Sequence, residues 1–539
     1  RINLFTAVDK DFNDKSIPEN NPYSDSVALE ISRGAIVMLK NQDNFLPVKK
    51  GNFFVCGPNA GKIVTGGGSG FVTPLITSTV SQAMKTIDKK VKATVISDKA
   101  KSKIDGMYAD RSMTIPGVSV ELYPNVNLEG EPVSRYVSDK VFLSGKPAEA
   151  HEDVVASRLS SRHTFYFRPE MDVTYVIKIN GNDGCRFFIN GDLIDSAWGR
   201  DSWQYVTTEY DFKAGNQYEI VVEHYNRGGT NGLELIFDSP VLVNESEVEK
   251  IKAADCVVVC IGHDNTSEKE NHDRTFELPK AHIEYLQNVL ALSDNVVVVL
   301  NGGGGIEMAS WLPKVKAVLM AWYPGQQGGT AISEIITGKV SPSGKLPISI
   351  EARLEDNPSY EHYYENVPRM RVPSINPYSR VEYREGIFMG YRGYEKNDVS
   401  PLFPFGFGLS YTSFEYSDLQ IAQDGREYII SFDVKNVGKV SGAEVTQIYV
   451  ADDECSVVRP EKELKGFDKV FLKPGETKRV SIRLGDEAFR FYNIELIAGE
   501  WINEKSGNHD ILITESTARR MGWTPEEAVG KHYKSEHPD

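Results

Sequence analysis

The stretch CVVVCIG at residues 256–262 decides the fold class, because it is apolar throughout and has the length of a buried strand. Two further apolar runs of strand length follow it, at Val296–Leu300 and Ala317–Ala321. Segments with helical spacing of apolar residues, Lys280–Leu292 and Gly328–Ile336, alternate with these runs. Buried strands that alternate with helices predict an α/β domain with a mostly parallel sheet, covered by helices on both faces.

Towards the N-terminus the chain has the same α/β character, interrupted by a long β-rich stretch. Val27–Lys40 has apolar residues at helical spacing and predicts a helix, while Asn52–Cys56 and Val91–Ile96 predict strands. After about Gly106 the pattern changes, and residues 116–240 carry short aromatic and β-branched runs separated by turns, which predicts an all-β sandwich. Because the α/β pattern resumes at Ala253, we expect this sandwich to be an insert in one α/β domain.

Beyond the α/β pattern the chain changes character twice. Residues 353–412 are rich in Pro, Tyr and Gly and predict an extended linker. Residues 413–484 return to alternating strands, with turn signals at Asn436–Gly438 and Lys473–Gly475. This pattern predicts a second, immunoglobulin-like β-sandwich.

The composition excludes several classes of function. The chain has 539 residues and a formal net charge of -16, so its surface would repel nucleic acids and anionic membranes. No apolar run is long enough to span a membrane. The five cysteines are scattered, and we expect Cys256 and Cys260 to be buried thiols rather than a metal pair. We therefore expect no cofactor, no metal, and no nucleic-acid or membrane partner.

A polar segment, EKENHDR at Glu268–Arg274, follows directly on the central predicted strand. Loops after parallel strands are where α/β domains carry their functional groups. Three acids beside an arginine and a histidine can shift the pKa of a carboxyl group in either direction. On composition alone, a solvated charged loop is the simpler interpretation.

Two glycine-rich segments resemble nucleotide-binding loops without matching them. NGGGG at Asn301–Gly305 lacks the spacing of the dinucleotide fingerprint. GPNAGK at Gly57–Lys62 is one residue short of a phosphate loop, and Ile63 stands where a serine or threonine would bind magnesium. A third segment, Gly66–Gly70, is expected to be a flexible loop. We predict that none of them binds a nucleotide.

These segments, in this order, resemble glycoside hydrolase family 3 of the β-glucosidase type, over about residues 1–492. The motifs that carry the resemblance are Ala28–Lys40, Leu46-Pro47, Gly57–Ala60, Gly66–Gly70, Glu270–Arg274, Trp322–Gln326, Pro342–Pro347, Tyr383–Tyr391 and Phe403–Tyr411.

The resemblance implies a domain organisation. Residues 1–104 and 244–352 would form the family's C-terminal α/β domain, and residues 105–243 are similar to a protective-antigen-type β-sandwich insert, with Asn182–Asn190 as its signature turn. Residues 413–492 resemble a fibronectin type III-like domain. Residues 493–539 resemble part of the extracytoplasmic domain of an ABC transporter permease, and we expect this tail to derive from a join.

The family is a group of retaining glycosidases, which use two carboxyl groups on opposite sides of the scissile bond. By resemblance Glu270 is the acid/base, and Glu268 is the alternative because Asn271 replaces a glycine of the family motif. Asp273 and Arg274 are expected to hold the loop. The family's nucleophile lies in an N-terminal (β/α)8 barrel, for which the chain has no room. We therefore expect the nucleophile to be absent and the chain alone to be inactive.

The resemblance also implies partners and a location. The expected ligands are β-linked glucosides, xylosides or oligosaccharides, with the missing barrel as a protein partner and a homodimer as a further possibility. Arg1–Asp9 does not resemble a signal peptide, so either a signal was removed or the chain begins inside a longer protein. We expect a secreted or periplasmic bacterial protein. A non-catalytic carbohydrate-binding fragment is the main alternative, and a transporter-associated protein would rest on the tail alone.

Overall fold

The computed structural model describes residues 21–74, 76–87, 91–95, 106–169, 172–199, 204–238, 243, 245–270, 274–361, 383–452, 458–485, 488, 518–519 and 522–529. The strands, in chain order, are β1 (Val37–Asn41), β2 (Gly51–Cys56), β3 (Val91–Val95), β4 (Val118–Tyr123), β5 (Ser134–Ser138), β6 (Phe142–Ser144), β7 (Leu159–Phe167), β8 (Val173–Asn182), β9 (Gly184–Ile189), β10 (Asp192–Ser196), β11 (Gln204–Phe212), β12 (Tyr218–Asn226), β13 (Gly232–Asp238), β14 (Cys256–Gly262), β15 (Val296–Asn301), β16 (Ala317–Met320), β17 (Phe414–Asp424), β18 (Glu427–Asn436), β19 (Gly442–Val450), β20 (Glu463–Leu472) and β21 (Thr477–Leu484). The α-helices are α1 (Pro22–Ala35), α2 (Val80–Thr86), α3 (Glu245–Lys252), α4 (Lys280–Leu290), α5 (Gly328–Thr337), α6 (Tyr391–Lys396) and α7 (Pro525–Ala528).

The α/β domain is built on a six-stranded sheet with the order β1-β16-β15-β14-β2-β3. All neighbours run parallel except β1, which is antiparallel to β16. Every residue of β14 is buried, with Val257, Val259 and Ile261 in the core on one face and Cys256, Val258 and Cys260 in the core on the other. The mostly parallel sheet covered on both faces, predicted from the apolar run, is confirmed.

The helix predicted over Val27–Lys40 is wrong in its second half. Helix α1 begins at Pro22, with the Asn21 side chain accepting from the Tyr23 amide, and ends at Ala35. Residues Val37–Asn41 form strand β1 instead. Val37, Met38 and Leu39 are apolar in a row, and pairing with β16 buries them completely or nearly so. Tertiary strand pairing thus overrides the local periodicity.

Residues 106–238 form two antiparallel sheets that pack face to face, as the all-β pattern predicted. One has the order β10-β9-β12-β7-β4-β5 and the other β11-β8-β13-β6. Large side chains from both sheets, such as Phe165, Phe187 and Phe212, share one core that is separate from the cores of the α/β domain. The sequence pattern had not singled out β5, β6, β10 and β11, whose burial is partial or whose length is short.

The stretch 353–412, predicted to be a linker, is packed where it is described. Phe403 lies in the core of the α/β domain, and its backbone pairs with that of Ile350. Leu409 pairs with Met38 of β1 in the same way. These contacts attach the stretch to the α/β domain rather than leaving it extended.

The chain divides into two compact units, residues 1–418 with 432–480 and residues 419–431 with 481–539. In the first unit, β19 and β20 form a long antiparallel pair. In the second, Arg483 forms ion pairs with Asp424 and Glu427, and α7 begins with a capping box between Thr524 and Glu527. Most of the tail after residue 493 lies outside the described residues.

Cys56, Cys185, Cys256 and Cys260 are buried free thiols, as predicted for Cys256 and Cys260, while Cys455 lies outside the described residues. No helix in the described ranges is long and apolar enough to cross a membrane. Within the same ranges, no three His, Cys, Asp or Glu side chains are grouped so that they could hold a metal ion.

Candidate active site

The polar loops singled out in the sequence meet at one edge of the six-stranded sheet. Strands β2, β14, β15 and β16 run parallel, so their carboxyl ends lie on the same side. The segments that follow them are Gly57–Lys62, His263–Glu270, Gly302–Gly305 and Trp322–Gln326. This edge is where open α/β sheets place ligands and catalytic groups.

Glu268 is fixed at this edge by donors from two other segments and by Arg274 of its own loop. Its carboxylate accepts a hydrogen bond from the Tyr323 hydroxyl at 2.7 Å and from the Gly303 amide at 2.9 Å. The Arg274 guanidinium forms an ion pair with it at 3.3 Å. The glycine at 303 is needed for this approach, since a Cβ atom there would lie 2.6 Å from the Glu268 Oε1 atom. The NGGGG segment therefore serves to bring a backbone amide up to a carboxylate.

The environment of Glu268 favours its ionised form. Burial alone would raise the pKa of Glu268, but the bonds from Tyr323 and Gly303 and the charge of Arg274 outweigh it and hold the pKa below its usual range. Burial, together with the bond to the Glu268 carboxylate, raises the pKa of Tyr323 far above normal. At neutral pH the pair is a neutral phenol donating to a carboxylate.

Arg274 links the loop after β14 to the loop after β15. Its Nη2 atom donates to the Gly305 carbonyl oxygen at 2.7 Å, in addition to the ion pair with Glu268. The role expected of Arg274, holding the loop, stays a prediction. Asp273, expected to share that role, lies outside the described residues, as do Asn271 and His272.

Glu270 lies two residues further along and is exposed. Its Oε2 atom accepts two hydrogen bonds from Ser69, from the hydroxyl at 2.7 Å and from the amide at 3.0 Å. The Ser69 hydroxyl, and then its amide, lower the pKa of Glu270 because both stabilise the carboxylate. No sequence pattern connects Ser69 with Glu270, because 201 residues separate them. The one available signal was a serine within a glycine-rich segment, Gly66–Gly70.

Lys62, the last residue of the GPNAGK segment, pairs with a carboxylate of the loop after β14. It forms an ion pair with Asp264 at 2.5 Å. Burial opposes the ionisation of Asp264, but Lys62 and the hydrogen bonds from Thr266 hold the pKa of Asp264 far below its usual range. Burial, and then the charge of Arg274, lower the pKa of His263 to about 4, so this imidazole is neutral at neutral pH. These groups form a rigid base beneath the loop.

The geometry thus presents two carboxyl groups on one loop in different surroundings. Glu268 is enclosed by three donors, whereas Glu270 projects from the sheet edge with Ser69 as its partner. An exposed carboxyl group of this kind is able to exchange a proton with a bound molecule.

Two family models match the chain. Residues 36–411 match the glycosyl hydrolase family 3 C-terminal domain. Residues 444–517 match a fibronectin type III-like domain, so this match continues beyond residue 492, where we expected the domain to end.

Individual relatives agree with these matches. Probable beta-glucosidase I of Aspergillus clavatus is 31% identical, over 95% of this chain and 64% of its own length. Thermostable beta-glucosidase B of Acetivibrio thermocellus is 42% identical, over 51% of this chain and 35% of its own length. The crystal structure of beta-glucosidase from Kluyveromyces marxianus in complex with glucose superposes with a TM-score of 0.59 at 30% identity, covering 86% of this chain and 58% of that one. A further solved structure, DesR, a beta-glucosidase from Streptomyces venezuelae in complex with D-glucose, gives 0.62 at 25% identity, over 88% and 57%.

The chain therefore spans less than two thirds of the length of these relatives. The first family model alone covers well over half of the chain, from β1 to the end of the stretch that closes the α/β domain. The chain belongs to glycoside hydrolase family 3, of which it contains the C-terminal domain.

Proposed function

We propose that this chain supplies the acid/base side of the active site of a retaining, β-glucosidase-like glycoside hydrolase, with Glu270 as the acid/base. The substrates would be β-glucosides, β-xylosides or the oligosaccharides that contain them. The observation that carries the proposal is the position of Glu270, an exposed carboxyl group at the carboxyl edge of a parallel sheet in a family 3 domain.

The surroundings favour Glu270 over Glu268 as the proton donor. Glu268 accepts from Tyr323 and Gly303 and is paired with Arg274, and each of these contacts favours the carboxylate over the acid. Protonating Glu268 would weaken all three. Within the part of the chain that the structure describes, Glu270 has Ser69 as its one hydrogen-bond partner, and its side chain is exposed, so a sugar or a second domain can cover it. Such cover would remove water and raise its pKa towards the working pH, as a general acid requires.

In this scheme Glu270 donates a proton to the glycosidic oxygen as the bond from the anomeric carbon to that oxygen breaks. A second carboxylate attacks the anomeric carbon from the opposite face and forms a covalent glycosyl-enzyme. Glu270 then takes a proton from the water molecule that hydrolyses this intermediate. We propose that the second carboxylate comes from a (β/α)8 barrel outside these 539 residues, in keeping with the greater length of the relatives.

The test is a Glu270→Ala variant of the enzyme assembled with its barrel. We expect this variant to lose most activity on substrates with poor leaving groups and much less on activated aryl glycosides, which need no protonation. Added azide should restore turnover by intercepting the glycosyl-enzyme. Glu268→Ala is the matched control, two residues away on the same loop. If Glu268→Ala gives this pattern and Glu270→Ala does not, the acid/base is Glu268; if neither does, the proposed site is wrong.

The alternative function, a non-catalytic carbohydrate-binding fragment, depends on aromatic rings free to stack on a sugar. Trp198 is an aromatic side chain of the insert, but the Arg186 guanidinium lies over its ring at 4.3 Å and Tyr225 packs against it edge-on at 4.8 Å. Trp203 lies outside the described residues. The described contacts of Trp198 are those of a packed ring, and they give this alternative no support.

A further inference from the structure

We propose that Ser69 is a positioning residue that orients the Glu270 carboxyl group and leaves its Oε1 atom to carry the transferred proton. This inference rests on the proposed function of Glu270 as the acid/base. It begins from an asymmetry in the hydrogen bonds of that side chain. Both donors of Ser69, the hydroxyl and the amide, end on Oε2, and within the described residues no hydrogen bond to Oε1 is found.

Backbone pairing between the two loops brings Ser69 next to Glu270. The Gly67 amide donates to the Glu268 carbonyl oxygen at 2.9 Å, and Gly67 also pairs with Lys269 as in a parallel ladder. Gly68 has a positive φ of 76°, and a Cβ atom there would lie 2.5 Å from the Glu270 Cβ atom. The glycine loop and the acid/base loop therefore lie side by side in a fixed register, with Gly68 opposite Glu270 and Ser69, the next residue, at the Glu270 carboxylate.

The remaining charged groups of the site are engaged elsewhere. Arg274 is bound to Glu268 and to the Gly305 carbonyl, and Tyr323 donates to Glu268. On the acid/base loop itself, Lys269 and Glu268 are the charged neighbours of Glu270 that the structure describes, and His272 and Asp273 fall outside the described residues. Among the described groups, Ser69 is thus the one that contacts the Glu270 carboxylate directly and can tune it.

The contact with Ser69 shifts the pKa of Glu270 in a known direction. The bonds from Ser69 stabilise the carboxylate, so they lower the pKa of Glu270. A general acid is active while protonated, and activity falls as the pH rises through its pKa. Removing the Ser69 hydroxyl should raise the pKa and move the alkaline limb of the pH profile to higher pH. A threonine at this position keeps a hydroxyl donor and should keep the wild-type profile.

The first experiment needs no activity. The carboxyl carbons of glutamate are labelled with carbon-13 in the 539-residue chain, the Glu270 signal is assigned by its loss in Glu270→Gln, and its titration is followed by NMR. We expect a higher Glu270 pKa in Ser69→Ala and in Ser69→Gly, and the wild-type value in Ser69→Thr. Ser112→Ala is the matched control, because Ser112 also donates to a carboxylate, that of Asp110 in the insert. An unchanged Glu270 titration in both Ser69→Ala and Ser69→Gly would overturn the inference.

The second experiment measures the pH dependence of kcat in the enzyme assembled with its barrel. We expect the alkaline limb to shift upwards in Ser69→Ala and to return in Ser69→Thr. If the limb stays in place while Glu270→Ala still shows azide rescue, the role of Ser69 is refuted and the proposed function stands. If Glu270→Ala retains full activity on poor leaving groups, the proposed function itself fails, and the inference fails with it.

Discussion

Glu268 and Glu270 differ by two positions and by the number of donors that hold them. Three contacts fix the first, from Tyr323, Gly303 and Arg274, and one residue, Ser69, holds the second. A carboxyl group that must gain and lose a proton in each cycle is better served by the looser arrangement. Under the proposed function, the tighter contacts of Glu268 would hold the loop in place while Glu270 exchanges its proton.

The contribution of the Glu268 contacts to the free energy of unfolding can be measured with the variant Gly303→Ala. The added Cβ atom would lie 2.6 Å from Glu268 Oε1 and must displace the carboxylate. We expect the free energy of unfolding to fall by roughly 1–3 kcal/mol, the usual loss when a charged hydrogen bond of a largely buried group is broken. Because the pKa of folded Glu268 is lowered, this contribution is present at neutral pH and lost as the pH falls through that pKa.

Calorimetry at pH 7 and at a pH below the lowered pKa of folded Glu268 would check both parts. Gly228→Ala, at an insert glycine with open space around it, is the matched control and should change little. Equal destabilisation by Gly303→Ala at the two pH values would show that the Glu268 contacts are not the cause.

The sequence allowed part of this site to be predicted. Glu268, Glu270 and Arg274 stand on one loop directly after a recognisable buried strand, so their proximity follows from local order. Ser69 and Tyr323 could not be connected with them, because those contacts depend on the order of β2, β14 and β16 in the sheet. Strand order is a property of the whole fold, and local periodicity does not encode it.

At the scale of elements, the insert and the α/β domain meet at the beginning of α4. Helix α4 has Pro279 before it and no side chain of its own capping its first turn. The insert provides the cap from β11, where Glu209 accepts a hydrogen bond from the Lys280 amide at 3.2 Å. Asp211 of the same strand forms an ion pair with the Lys280 side chain. A carboxylate at this end also suits the helix dipole.

We predict that the α/β domain folds after residues 106–238 are replaced by a short linker, because the two parts have separate cores. The shortened protein should be less stable by about 0.5–1 kcal/mol from the lost cap of α4, at the low end of the usual range because Glu209 is exposed. Glu209→Ala in the full chain should reproduce this loss in thermal unfolding, and Glu209→Gln, which keeps an acceptor, should reproduce less of it. Failure of the shortened protein to fold would show that the insert is part of the core.

The wrong helix prediction at Val37–Asn41 also concerns a single secondary-structure element. Val37, Met38 and Leu39 are apolar in a row, which suits the end of an amphipathic helix and an edge strand equally well. The antiparallel partner, β16, is about 280 residues away along the chain. The strands of the insert were easier to predict, because turns separate them and their partners lie nearby in sequence.

At the scale of the whole molecule, the proposal divides the two carboxyl groups of a retaining mechanism between this chain and a barrel. Such enzymes need the two groups about 5 Å apart. We predict that the purified 539-residue chain does not hydrolyse an aryl β-glucoside above the rate in buffer, and that supplying the barrel restores hydrolysis. A matched preparation carrying Glu270→Ala would control for contaminating glycosidases. Turnover by the chain alone that disappears in this variant would contradict the division.

The sheet order also determines how long a strand waits for its partner while the chain is being translated. Strand β2 lies between β3 and β14, and β14 follows β3 only after the whole insert has been made. At 5–20 residues per second, the roughly 160 residues from the end of β3 to the start of β14 take about 8–32 s to translate. During that interval β2 has left the ribosome without its partner β14, while the insert, whose strands pair with one another, has time to fold. The nascent chain therefore exposes an apolar strand edge for many seconds, the state in which chaperones bind and neighbouring chains aggregate.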